Sequence, residues 1–146
     1  MGKQIAPGTY YAPGGTGCYW ARESNFNGTL QSILANTNAT GQAIVTILAT
    51  DAGFKSQGCG TWKPLPTSGT PRTSFGNGDW AVGINIAPGT YSAPGGTGCY
   101  WERQGGFTGT LTSVLANTNP TGQTIVTILP TDKGFKSKGC GTWVQG

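Results

Sequence analysis

The sequence predicts an all-β protein made of two tandem, small, disulfide-stapled repeats, each sandwich- or barrel-like, related by pseudo-symmetry. Three observations lead there. First, Ile5–Trp62 aligns with Ile86–Trp143 without a gap, and 13 of the 58 paired positions differ. Second, each repeat carries one cysteine near its start and one at its end. They sit in Gly-Cys-Tyr-Trp (17–20 and 98–101) and Gly-Cys-Gly-Thr-Trp (58–62 and 139–143). Third, the apolar runs are short and β-branched, Pro-Gly, Gly-Gly and Asn-Gly turns separate them, and no long helical period occurs. The implied organisation is repeat one over 1–63, a Pro/Ser/Thr linker over 64–74 and repeat two over 75–146.

Repeats of about 60 residues bury a modest share of their surface and need a staple. Equivalent units should make equivalent bonds, so Cys18 pairs with Cys59 and Cys99 with Cys140. Each bond closes a loop worth about 3–4 kcal/mol on the chain-entropy account. The alternatives are free buried thiols or a metal site, and the second suffers from the lack of any His or Cys-x-x-Cys. Disulfides point to an extracellular protein. No apolar signal core follows Met1-Gly2-Lys3, so an export signal is expected outside this sequence. No segment is long enough for a membrane span, and no membrane insertion is expected.

Within each repeat the elements follow in order. Pro-Gly at 7–8 and 88–89 reads as a turn before a strand through Thr9-Tyr10-Tyr11. Cys18–Arg22 is aromatic and β-prone. Asn27-Gly28 is a hairpin signal, replaced by Thr108-Gly109 in repeat two. Ser32–Asn36 fits one helical turn or a short strand, and 36–41 reads as a loop. Pro120, at the Ala39 position, excludes a helix interior there. Ala43–Leu48 is nearly all apolar and is expected at a sheet's centre. Asp51 belongs to a turn that its carboxylate caps, Phe54–Gln57 alternates, and Cys59–Trp62 closes the repeat as a strand. Phe75–Val82 predicts a turn and a strand entering repeat two. Repeat one has no counterpart, because its sequence starts at the position equivalent to Val82. Its edge is therefore expected to be open to self-association or to another chain.

The order of Val82-Gly83, Ile86–Tyr91, Gly98–Arg103, Ile125–Ile128 and Gly139–Trp143 resembles a small, uncharacterised secreted domain of actinobacterial exported proteins and lipoproteins, here in tandem. The resemblance spans each repeat nearly end to end. It implies an extracellular location and supplies no catalytic residue. Repeat one departs from it at Ala21, where repeat two has Glu102, and in lacking the leading strand.

Enzymatic chemistry finds little footing. There is no His, and of five acidic residues only Asp51/Asp132 recurs, so no facing carboxylate pair is common to both repeats. Lys55-Ser56 and Lys136-Ser137 alternate onto opposite strand faces. Gly14–Gly17 lacks the lysine and helix of a phosphate cradle. No cofactor or metal is implied. The net charge of +4 rests on only 10% charged residues, and Lys133, Lys136 and Lys138 read as solvated charge rather than a nucleic-acid surface.

The recurring aromatics remain. With the cysteine side inward, alternation puts Trp20 in the core and Tyr19 outside, and sets Trp62 on the face opposite Cys59. This yields a ligand site per repeat: Tyr19, Arg22, Asn36 and Trp62, then Tyr100, Arg103, Asn117 and Trp143. Flat aromatics beside fixed hydrogen-bond groups suit carbohydrate, and two weak sites gain avidity on a polysaccharide or cell-surface glycan. The competing readings are that these aromatics are core, and that the protein is an interaction, adhesion or inhibitor module without a glycan site. The sequence-based expectation is a secreted, non-enzymatic binding module.

Overall fold

A computed structural model describes residues 5–146. Each repeat supplies two small antiparallel sheets that share one core. In repeat one the strands are β1 (Gly8–Ala12), β2 (Cys18–Glu23), β3 (Ile33–Ala39), β4 (Ala43–Ile47), β5 (Gly53–Gln57) and β6 (Lys63–Pro64). Their orders are β4-β1-β6 and β3-β2-β5. In repeat two they are β7 (Ser74–Phe75), β8 (Gly78–Ala81), β9 (Gly89–Ala93), β10 (Tyr100–Gln104), β11 (Val114–Thr118), β12 (Thr124–Ile128), β13 (Gly134–Lys138) and β14 (Trp143–Gln145), ordered β12-β9-β14-β7 and β11-β10-β13-β8. The chain forms two compact units. Unit one is Met1–Leu65 with Phe107–Ser113, and unit two is Pro66–Gly106 with Val114–Gly146.

The all-β, two-unit expectation holds, and so does the staple. Cys18–Cys59 and Cys99–Cys140 are disulfides whose Cα atoms lie 4.4 Å apart in both units. The turn before each first cysteine is tied to the second one. Gly14 donates its amide to the Cys59 carbonyl at 2.9 Å, and Gly95 donates to Cys140 at 3.0 Å. Gly14 has φ +65°, and a Cβ there would lie 1.8 Å from the Gly41 carbonyl oxygen. Only glycine satisfies both demands.

Four expectations are corrected. Ala43–Leu48 was expected at a sheet's centre, but β4 and β12 are edge strands. Their apolarity reflects packing onto the core by one face, through Val45 and Ile47 or Val126 and Ile128. Cys59–Trp62 is not a strand; the turn after the disulfide delays pairing until Lys63 and Trp143. The 36–41 loop is shorter than expected, since β3 runs to Ala39, whereas β11 stops at Thr118, two residues before Pro120. The 64–74 linker is also shorter: Lys63–Pro64 is β6, Ser74 begins β7, and Arg72 bridges to Ile86. The ambiguous Ser32–Asn36 stretch resolves into a 3-10 turn, Leu30–Ser32, leading into β3.

Cross-strand register fixes the two faces. Tyr10 pairs with Val45 and Ala12 with Ala43, facing inward, while Thr9 joins Thr46 by a 2.8 Å hydroxyl contact outside. Trp20 is opposite Ser56 and points into the core of unit one, where it is 1% exposed. In unit two, Trp101 donates its indole N–H to the Thr124 hydroxyl at 3.0 Å. The residue at the Thr124 position in repeat one is Ala43, and the Trp20 Nε1 is buried without a partner. A buried donor left unpaired costs about 1–3 kcal/mol. Ala43→Thr should therefore stabilise unit one by about 1 kcal/mol. Urea unfolding followed by Trp20 fluorescence checks this; no gain, or a loss, would show that the hydroxyl does not reach the indole.

Candidate functional site

The sequence-predicted ligand groups separate into two sets on opposite faces of β2 and β10. Tyr19 pairs with Asn38 and Gln57, so its ring lies on the outward face of β3-β2-β5. Its hydroxyl accepts a 3.2 Å bond from Asn36 Nδ2. Tyr100 and Asn117 repeat this at the same 3.2 Å. In unit two the Tyr100 hydroxyl also donates to Glu102 at 2.6 Å, and Gln104 donates to the other Glu102 oxygen at 3.0 Å. Burial, then the Glu102 carboxylate, pushes the Tyr100 phenol upward.

The tryptophans and arginines do not join this face. Trp62 donates to the Ser56 hydroxyl at 2.7 Å, and Ser56 shares Trp20's inward face, so Trp62 belongs to the core side. Trp143 does the same through Ser137 and is fully buried. Alternation placed them outside because it treated Cys59–Trp62 as a strand; the turn there breaks the two-residue period. Arg22 and Arg103 are instead drawn to the core side into ion pairs. Arg22 makes a bidentate pair with Asp51 at 2.7 and 2.9 Å, and Arg103 with Asp132 at the same distances. The Arg22–Asp51 pair is buried, with side chains 4% and 0% exposed.

This pairing was missed from sequence. The available signal was that Asp51/Asp132 is the only recurring acid and Arg22/Arg103 a recurring base. The turn-capping role did emerge: Asp51 accepts the Leu48 amide at 3.0 Å, and Asp132 the Leu129 amide at 3.0 Å. The pair thus locks the β4–β5 turn to β2, and the β12–β13 turn to β10.

A more open feature lies on the core side of unit one. In unit two, β13 is covered by β8 and β14 by β7. Phe75 of β7 packs against Tyr91, Phe135, Trp143 and Trp80, with ring centroids 5.1–6.3 Å apart. Repeat one has no β7 or β8 counterpart among the described residues. There β5 ends its sheet, and Tyr10, Phe54 and Trp62 are only partly buried, whereas Tyr91, Phe135 and Trp143 are fully buried. Phe54 meets Trp62 edge-on at 5.3 Å and Trp20 at 6.0 Å. The result is an aromatic groove beside a strand edge that has no partner among the described residues.

The Rv1352-like extracellular domain model matches residues 1–63 and 72–144. The chain belongs to the Rv1352-like extracellular domain family. The family assignment makes this an extracellular protein with two tandem copies of the domain. No curated protein and no solved structure matches the chain. No helix among the described residues is long and apolar enough to cross a membrane. The second family match begins at residue 72, where unit two's first bridge forms, so the β7–β8 segment counts as part of the domain.

The Arg–Asp pairs carry a pH signature. Burial works to raise the Asp51 and Asp132 carboxyls, but the guanidinium and the turn amide outweigh it, and both lie below the ordinary carboxylate value. A lowered folded-state value contributes stability that is present above the unfolded value and lost as pH falls through the folded one. Unfolding free energy should thus be level near neutrality and decline below about pH 4. Asp51→Asn leaves a buried guanidinium unpaired and should cost unit one about 3–5 kcal/mol at neutral pH. Asp132→Asn, beside the more exposed Arg103, should cost less and flatten the acid limb of unit two. Urea titrations from pH 2.5 to 7 test this; an unchanged acid limb in Asp132→Asn would remove the pair's role.

Proposed function

We propose that this chain is a non-enzymatic extracellular binding module, and that unit one takes up an extended polypeptide segment along its open β5 edge. The observation that carries this is the contrast at Phe75: the core of unit two is closed by an aromatic-bearing strand, and among the described residues no such strand covers the same core of unit one. Strand addition to an exposed edge gives affinity through backbone bonds and specificity through side-chain pockets. The fitting segment has the chemistry of Ser74–Ala81. It places an aromatic ring among Tyr10, Phe54 and Trp62, and an acid opposite Lys55. In unit two the residue equivalent to Lys55, Lys136, lies 4.0 Å from Asp79 across the β13–β8 pair.

A synthetic peptide of residues 73–82 is the direct probe. It should bind the full chain saturably, quench Trp62 and protect the β5 amides. Replacing its phenylalanine by alanine should weaken binding at least about tenfold, as expected for a buried aromatic anchor. No binding at millimolar peptide, or equal binding of the alanine peptide, would overturn the proposal.

Carbohydrate recognition is a second reading, supported by the Tyr19–Asn36 and Tyr100–Asn117 pairs, which recur at one geometry on the outward faces. It no longer includes Trp62, Trp143, Arg22 or Arg103. In a glycan array this reading requires binding that Tyr19→Ala with Tyr100→Ala abolishes; binding that survives both substitutions rejects it.

A further inference from the structure

The segment Phe107–Ser113 lies in the second repeat's sequence yet belongs to unit one. Its contacts there are specific. The Phe107 carbonyl accepts the Thr46 amide at 2.8 Å, on the outer edge of β4. The Thr108 carbonyl accepts Arg22 Nη1 at 2.6 Å. Gly109, at φ +79°, presses onto Trp20 and Ala35; a Cβ there would come within 2.7 Å of the Trp20 ring. Phe107 is buried. This loop is therefore a plug, and β4, Arg22, Trp20 and Ala35 form its socket.

Both halves of this arrangement exist a second time. The loop of repeat one, Phe26-Asn27-Gly28-Thr29-Leu30, differs from Phe107–Leu111 only at Asn27 against Thr108, and that position engages the socket through its carbonyl. It is already in the plug conformation. Gly28 has φ +74°, and Ser32 donates to Thr29 at 3.1 Å as Ser113 does to Thr110 at 3.0 Å. Asn25 Oδ1 braces it by accepting from the Asn27 amide at 2.9 Å and the Ser32 hydroxyl at 2.5 Å. Repeat two has Gly105-Gly106 in place of Ser24-Asn25, which frees its loop of that brace. Phe26 touches Gly53 with one ring edge and is otherwise in water, at 77% exposure.

The second socket lies on unit two, and its residues are the same: Trp101, Arg103, Ala116, Ile125 and Thr127 for Trp20, Arg22, Ala35, Ile44 and Thr46. It is uncovered. Ile125 is 64% exposed where Ile44 is 2%, and Thr127 is exposed on the edge strand β12. Arg103 keeps its two bonds to Asp132 but makes no third among the described residues, and its side chain is 21% exposed against 4% for Arg22.

We propose that the Phe26–Ser32 loop of one copy plugs the β12 socket of a second copy. An offered plug and an empty socket on different patches make a heterologous contact, which closes as a reciprocal pair or continues as a ring or chain. The occupant follows from the chain's own use of the same plug in the same socket.

Complementation tests it. Phe26→Asp disables the plug, and Ile125→Lys blocks the socket; both positions are exposed, so the fold should tolerate them. Sedimentation across a concentration series should show wild-type chains associating, and either variant alone should weaken this by at least about tenfold. An equimolar mixture of the two variants should form a complex of two chains and nothing larger, because it holds one working plug and one working socket. A wild-type chain that stays single at millimolar concentration overturns the proposal. So does association that neither variant weakens, which would point to the β5 edge instead, or a mixture that forms no complex while wild type does.

Discussion

In unit two the ring of Phe75 packs between Tyr91, Phe135 and Trp143, and the closure of that core follows from its position. The strand that carries it, β7, pairs with β14, and β8 then covers β13. Three aromatic side chains lose water together, and rings at these separations add about 0.5–1.5 kcal/mol per pair beyond the burial itself. Unit one has the same tyrosine, phenylalanine and tryptophan, the same disulfide and the same Arg–Asp pair, and among the described residues no strand equivalent to β7. Two nearly identical repeats thus differ, among the described residues, in whether this strand covers the core.

The constraints common to both units explain why the difference stays local. The disulfide joins the start of β2, or the residue just before β10, to the turn after β5 or β13, and the Arg–Asp pair joins β2 or β10 to the turn before β5 or β13. These two ties hold β5 to β2 at both of its ends whether or not a further strand is added. A missing edge strand then exposes side chains without releasing the sheet. That is the condition for a binding edge: the strand is pre-ordered, so little entropy is spent ordering it when a partner arrives.

Much of the fold was legible in the sequence because the repeat supplied internal controls. The cysteine pairing, the strands at Gly8–Ala12, Cys18–Glu23 and Gly53–Gln57, and the added β7–β8 segment of repeat two all emerged. What escaped depends on tertiary placement. Ala43–Ile47 reads as a central strand because its composition reports burial of the strand's side chains, not how many neighbours its backbone has. Trp62 and Trp143 were placed outside because one undetected turn after the cysteine inverts the alternation. Arg22 looked like a ligand group because a charge on a strand is normally solvated; its partner, Asp51, is 29 residues away. Within the candidate sites, Tyr19 with Asn36 and Tyr100 with Asn117 were named among the four expected ligand groups of each repeat, and the structure brings these two together without the others, whereas the plug formed by Phe107–Ser113 left no sequence signal beyond Gly105-Gly106.

Among the described residues β5 is the edge of its sheet, while β13 is covered by β8. Amide hydrogen exchange, resolved residue by residue at Phe54–Gln57 and Phe135–Lys138, measures this directly. Every second amide of β5 should exchange far faster than its β13 counterpart, because it faces water rather than β8, while the inward-bonded amides of the two strands stay alike. Equal protection along both strands would contradict the account, since the β5 edge would then be covered as β13 is.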